Sequence, residues 1–136
     1  MAYSYVIEHD RRIFVVQILG EVRANEFSKL EKEIRSMAFI LKYKVIFDFR
    51  KAKVKICIGE AYFIYAIRFD RARFEFWNVP TAHIVNPDYN DLFSFIDLVC
   101  LNDNLKIKTF KAKREALKLF NELDLITTNQ ISAYTL

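Results

Sequence analysis

The chain is poor in the residues that break or specialise a backbone. Of its 136 residues, two are glycine, two proline and two cysteine. Gly20 and Gly59 stand far apart, so there is no glycine-rich loop to cradle a phosphate, and both the Walker-type and the dinucleotide fingerprints are missing. So little glycine and proline also excludes collagen-like and low-complexity chains. Cys57 and Cys100 cannot make a disulfide scaffold. With His9 and His83 they are too scattered to supply the closely spaced ligands that zinc requires, so neither metal nor cofactor is expected. No apolar run approaches the ~20 residues of a bilayer span. The start, MAYSYVIEHDRR, lacks the charged beginning, apolar middle and small-residue cleavage site of a secretory signal. The expectation is a reduced, cytoplasmic chain that is not integral to a membrane.

What is abundant is apolar and aromatic. Apolar residues make up 53%, aromatic residues 15% and charged residues 28%. That mixture forms a packed core and excludes a disordered tail, and the length suits one domain. Charge is +4, from 21 basic and 17 acidic residues. The basic residues cluster. Lys42, Lys44, Arg50, Lys51, Lys53 and Lys55 surround the lone Asp48, and Lys106, Lys108, Lys111, Lys113, Arg114 and Lys118 surround Glu115. Meeting on one face, the two runs would attract an anionic partner; apart, they are solvated surface.

Hydrophobic spacing alternates between strand and helix. Residues 3–8 and 13–19 are two β-rich runs joined by a polar break, which predicts an antiparallel hairpin with Gly20 stopping the second run. That second run is apolar on both faces and belongs in the middle of a sheet with helices on both sides. Residues 25–41 read as a helix capped by Asn25, with Phe27, Leu30, Ile34, Met37 and Leu41 as its apolar stripe. Lys29–Glu33 and Glu31–Arg35 read as pairs on its wet side. Residues 45–49 are a short buried strand, parallel to the one before by the crossover rule. From Arg50 to Ile58, lysines alternate with apolar residues, which predicts extended chain with one basic face, as a rim loop or a paired strand. A second helix over 60–73 is apolar nearly all round in its first turns. A strand over 81–86, a helix to Asn102 capped by Asp88, Asn90 or Asp91, a strand over 106–110 and a helix over 111–123 complete the order ββαβαβαβα. The fold class is α/β: a single domain over 1–123 with a mixed, mostly parallel five-stranded sheet and four helices, followed by a tail over 124–136.

Three stretches carry a family resemblance. Val15 to Val22 is a strand running through Gly20 into an amphipathic helix. Asp48-Phe49-Arg50-Lys51-Ala52 ends the buried strand. Phe110 to Leu117, followed by Phe120, joins the last strand to the last helix. In this order and spacing, over residues 3–123, the chain resembles the STAS-like superfamily of anti-sigma-factor antagonists, and more closely the bacterial STAS lipid-carrier-like proteins of unknown role. The resemblance implies a bacterial regulatory or ligand-binding module without catalysis. In phosphoregulated members a Ser or Thr precedes the helix after the central strand. The matching stretch here, Lys55-Ile56-Cys57-Ile58-Gly59-Glu60, has neither, so that switch is expected to be absent.

The residues themselves leave few places for function. Asp48 and Arg50 close the central strand, where α/β sheets receive ligands; they form either a structural pair or, with Lys53 and Lys55, the rim of a contact surface. Cys57 precedes a helix start, where the helix dipole favours a thiolate; a packing role in Ile56-Cys57-Ile58 is the plainer reading. His83 reads as a satisfied core residue. Tyr62, Tyr65, Phe69 and Trp77 exceed what one side of a helix on a sheet can bury, so they are core, a dimer face or the wall of an apolar cleft. Phe69 to Phe74 mixes arginine with aromatics, yet no RNA-recognition fingerprint is present and nucleic acid is not expected. The leading expectation is a non-catalytic module that presents the second helix and the basic segment to a protein partner. The alternatives are a carrier of a lipid or fatty acyl chain and, last, an enzyme using Cys57.

Overall fold

The computed structural model describes residues 1–67, 78–102 and 106–123. Strands β1 (Ala2–Glu8) and β2 (Ile13–Val22) form the hairpin, with every residue of Ala2–Glu8 paired in unbroken register. Helix α1 (Ala24–Leu41) crosses to β3 (Lys44–Val54), parallel to β2. Helix α2 (Ile58–Tyr62) runs on as a π-helical turn, Phe63–Ile67. Strand β4 (Thr81–Ile84), a 3-10 turn (Pro87–Tyr89), helix α3 (Asn90–Asn102), strand β5 (Ile107–Phe110) and helix α4 (113–123) follow. Among the described residues the sheet has five strands in sequence order, antiparallel only between β1 and β2.

Helices cover both sheet faces, as two-sided apolar strands require. On one face Phe14, Val16 and Ile18 of β2 and Val45, Phe47 and Phe49 of β3 pack under α1, α2 and α3. On the other, Ile13, Ile46, Ala82 and Ile84 pack against Ala116 and Phe120 of α4. Each fully buried Phe or Ile contributes about 1.5–3 kcal/mol relative to exposure.

The strand bounds depart from the sequence reading for local reasons. Gly20 does not stop β2: it lies inside the strand at φ +75, a conformation that side chains resist, and pairs with Ala52. Strand β3 runs to Val54, so the alternating lysine stretch is paired chain. Gln17 faces Asp48 while Leu19 faces Lys51, placing one extra residue in β3. That bulge resets the alternation: Phe47 and Phe49 point to the α1 face before it, Ala52 and Val54 after it. The alternation from Lys51 to Val54 was visible, but the change of phase at the bulge hid its continuity with residues 45–49. Asn25 is not a cap; Arg23 holds that position with no side-chain bond. The second helix starts two residues early, at Ile58, and strand β4 ends at Ile84. The tail over 124–136 lies outside the described residues.

One reversal concerns charge. Glu31 and Arg35 do not face water: both are fully buried and pair at 2.9 Å. Lys29 and Glu33 are exposed. Members of both basic runs are engaged within the fold. Lys44 sits at the start of β3 with its ammonium 5.9 Å from the Phe120 ring, and Lys113 pairs with Glu8 at 3.0 Å. Lys51, Lys53 and Lys55 remain as an exposed row at the far end of β3.

Candidate functional site

The Lys55 N–H still bonds Val22 O at 2.8 Å, so the chain leaves the sheet only after that residue. Helix α2 then starts at once. The Glu60 carboxylate turns back to accept the Cys57 N–H at 3.0 Å, the reciprocal half of a capping box. That backbone bond, then the Cys57 thiol, hold the Glu60 carboxyl below its ordinary range. Cys57 is exposed.

The consequence is a groove of about 510 Å³ between the first turns of α1 and α2. Ala24, Asn25 and Ser28 form one wall; Cys57, Gly59, Glu60, Phe63 and Ile64 form the other. The volume lies within the range of small-molecule sites. Ile58, Tyr62 and Phe63 are each about half exposed, unusual for apolar residues on neighbouring turns of one helix. Lys51, Lys53 and Lys55 lead toward the groove from β3.

The other expected site residues are elsewhere or differently engaged. Asp48 and Arg50 close on each other beside the bulge. Asp48 Oδ1 accepts the Arg50 N–H and Nε–H, both at 3.0 Å, and Oδ2 accepts Nη2–H at 2.8 Å. Burial opposes ionisation of Asp48, but the hydrogen bonds and charge of Arg50 outweigh it and hold the carboxyl below its usual value. Tyr65 is core, 2% exposed, and cannot belong to a contact face. Phe69 and Trp77 lie outside the described residues. The groove thus brings together Cys57 with Phe63 and Ile64, which the sequence reading did not single out.

Behind the groove lies a polar cluster that the sequence reading missed. Tyr65 Oη donates to Glu31 Oε2 at 2.7 Å, and Glu31 pairs with Arg35. Burial pushes the Glu31 carboxyl up, against the charge of Arg35 and the Tyr65 bond, and pushes the Tyr65 phenol well up. His83 is enclosed by Phe27, Phe47, Phe49, Tyr65 and Phe93, with ring centroids 5.4–6.4 Å away. Among the described residues neither of its ring nitrogens has a hydrogen-bond partner, so it is a core residue but not one satisfied by them. Burial, then the charge of Arg35, lower its pKa to about 3. One signal was legible: Glu31 and Arg35 continue the phase of Phe27, Ile34 and Ala38 around α1.

Among the described residues no three His, Cys, Asp or Glu side chains are grouped to hold a metal ion, and no helix is long and apolar enough to cross a membrane. No family model and no curated protein matches the chain. Solved structures do. The anti-sigma factor antagonist SpoIIAA in its unphosphorylated form matches with 14% identity and a TM-score of 0.50, over 93% of this chain and 98% of that one. An uncharacterized DUF3478-family protein with a SpoIIAA-like fold, from Shewanella loihica PV-4, matches with 11% identity and a TM-score of 0.52, over 88% and 92%. The chain therefore has the STAS-like, SpoIIAA-like fold.

Proposed function

We propose that this chain is a non-catalytic regulatory module of the bacterial cytoplasm that holds a protein partner against the groove between α1 and α2. The observation that carries this is the groove of about 510 Å³ with the half-exposed Phe63 in its wall, beside Ile58 and Tyr62, which are exposed on the same helix outside the groove. An amphipathic helix laying its apolar face into such a groove is a recurrent mode of recognition. The exposed row of Lys51, Lys53 and Lys55 suits a partner segment with acidic residues beside its apolar face. The likeness to an anti-sigma factor antagonist supports a regulatory role. The stretch Lys55 to Glu60, which leads into α2 and matches the place where phosphoregulated proteins of this type carry Ser or Thr, holds neither, so partner binding here does not depend on phosphorylation at that place.

Two alternatives separate from this reading. The groove volume also suits a lipid or fatty acyl chain. A thiol enzyme is disfavoured: His9 bonds Tyr43 at 2.9 Å and His83 is walled in by aromatic rings, so neither serves Cys57 as a base. The test compares affinity capture by wild-type chain, Phe63→Glu and Lys53→Glu. A partner retained by wild type and lost with both variants supports the reading. Native mass spectrometry that finds a stoichiometric lipid, lost in Phe63→Glu, overturns it in favour of the carrier.

A further inference from the structure

The last turn of α1 is apolar and open to solvent. Phe39 and Leu41 are nearly half exposed, and Ile40 is 77% exposed. Leu41 keeps the phase of Ile34 and Ala38, which are both buried, so the turn has run past the core rather than rotated away from it. Consecutive residues stand about 100° apart around a helix, so three in a row take up more than half of its circumference. A groove in another protein takes one stripe of a helix. A tip that is apolar this far round suits a medium that surrounds it. Exposed runs of this kind cost solubility and are kept for function.

Cations flank the tip. Between Glu33 and Asp48 the sequence has no acidic residue. Lys42 caps α1 in the left-handed conformation at φ 60, a place usually given to glycine. Arg12, in the hairpin turn, has φ 57. The turn and the helix end are joined: the Lys44 N–H bonds the Arg12 carbonyl at 3.0 Å, and His9 Nδ1 and Tyr43 Oη share a hydrogen bond of 2.9 Å. Among the described residues Arg12 and Lys42 are the two non-glycine residues with positive φ, and both are exposed cations. Glycine would sit there with less strain, so the charges are held against the backbone's preference. The turn also brings in Glu8 and Asp10. Glu8 has Lys113 at 3.0 Å and Arg11 at 3.7 Å, so Arg12 and Lys42 outweigh Asp10 and leave this end positive.

We propose that this end of the chain docks on an anionic membrane surface. Phe39, Ile40 and Leu41 enter the boundary between headgroups and acyl chains, and Arg12 and Lys42 meet lipid phosphates. One helical turn is about 5 Å deep, the depth to which surface-bound helices sink. The α2 groove borders the other end of α1, at Ala24, Asn25 and Ser28, about 20 Å along the helix from the tip. A docked chain therefore holds that groove clear of the membrane and open to a partner. The docking does not depend on what the groove binds.

Flotation of the full chain with lipid vesicles tests it. The chain should rise with vesicles of phosphatidylcholine and phosphatidylglycerol in equal parts, far less with phosphatidylcholine alone, and be released by added salt. Ile40→Glu should weaken binding at least about tenfold, with the far-UV circular dichroism of wild type. Arg12→Gly and Lys42→Gly should each weaken it about fivefold yet melt no lower than wild type, which loss of a merely structural cation would not allow. A chain that floats with neither vesicle overturns the proposal, as does binding indifferent to lipid charge or to Ile40→Glu. So does sedimentation that finds a dimer lost in Ile40→Glu, since the tip would then be covered by a second copy of the chain.

Discussion

Tyr65 and Glu31, 34 residues apart in sequence, are joined by a buried 2.7 Å hydrogen bond between the π-helical turn after α2 and the middle of α1. Ile64 lines the groove one residue before Tyr65, and Ser28 lines it three residues before Glu31. The bond therefore ties together the two elements whose separation sets the groove. π-Turns are rare and recur at functional sites; here one lies where a buried phenol reaches a carboxylate.

Tyr65→Phe keeps the ring and removes the donor. It should cost about 1.5–3 kcal/mol, the usual worth of a hydrogen bond to a charged group, read as a lower urea midpoint. Arg35→Met should cost more, about 3–5 kcal/mol, because it strands a buried carboxylate. Combining it with Glu31→Leu should recover most of that loss. A double variant as unstable as Arg35→Met alone would show that the pair does more than neutralise its own members.

His83 gives the fold an acid limit. Its folded pKa of about 3 lies below the ordinary value of 6.5, so between those values the unfolded chain binds the proton and the folded one does not. Stability from the neutral imidazole is fully present above pH 6.5 and falls as pH drops toward 3, by at most about 1.4 kcal/mol per unit. His83→Phe should flatten unfolding free energy against pH between about 6 and 4. Asp48 acts in the same sense lower down: its carboxyl is held below the usual value, so its contribution is lost only at more acid pH. A variant with the wild-type slope above pH 4 would refute this assignment.

The sheet was legible because strands with two buried faces leave near-continuous apolar runs, as Ile13 to Leu19 does. The element order followed from α1 and its stripe. What failed to show was polarity inside. Glu31 and Arg35 sit at helical spacing with the stripe, but an i,i+4 ion pair reads as surface unless something across the core can bond it. That something, Tyr65, arrives by a π-turn that changes helical phase, and no periodicity announces it. The groove was half visible: Cys57 and the apolar start of α2 pointed to it, but its opposite wall comes from residues 24–28, read only as a helix start.

Gly20 and Gly59 should respond oppositely to alanine. Neither Cβ would meet an atom within 4 Å, so packing does not separate them. Backbone does: Gly20 has φ +75, where alanine is strained and should cost about 1–3 kcal/mol. Gly59 lies in α2 without a positive φ, so Gly59→Ala should stabilise by about 0.4–1 kcal/mol. Thermal midpoints moving in opposite directions are the expected reading; a harmless Gly20→Ala would mean that β2 can relax the kink beside its bulged neighbour.

The two cysteines offer a direct probe of the groove. Cys57 is exposed on its wall and Cys100 is fully buried, so a maleimide should modify one thiol in the folded chain and two in denaturant. Because the adduct occupies groove volume, modification should abolish partner capture as Phe63→Glu does. Cys57→Ala removes the thiol that bonds Glu60 at the start of α2; it should leave capture intact and lower stability by about 0.5–1 kcal/mol, the low end for loss of a helix N-cap side chain. A labelled chain that still binds would move the contact surface off the groove and onto the outer face of Ile58 and Tyr62. Loss of capture on Cys57→Ala itself would make the thiol a direct contact rather than a bystander in the wall.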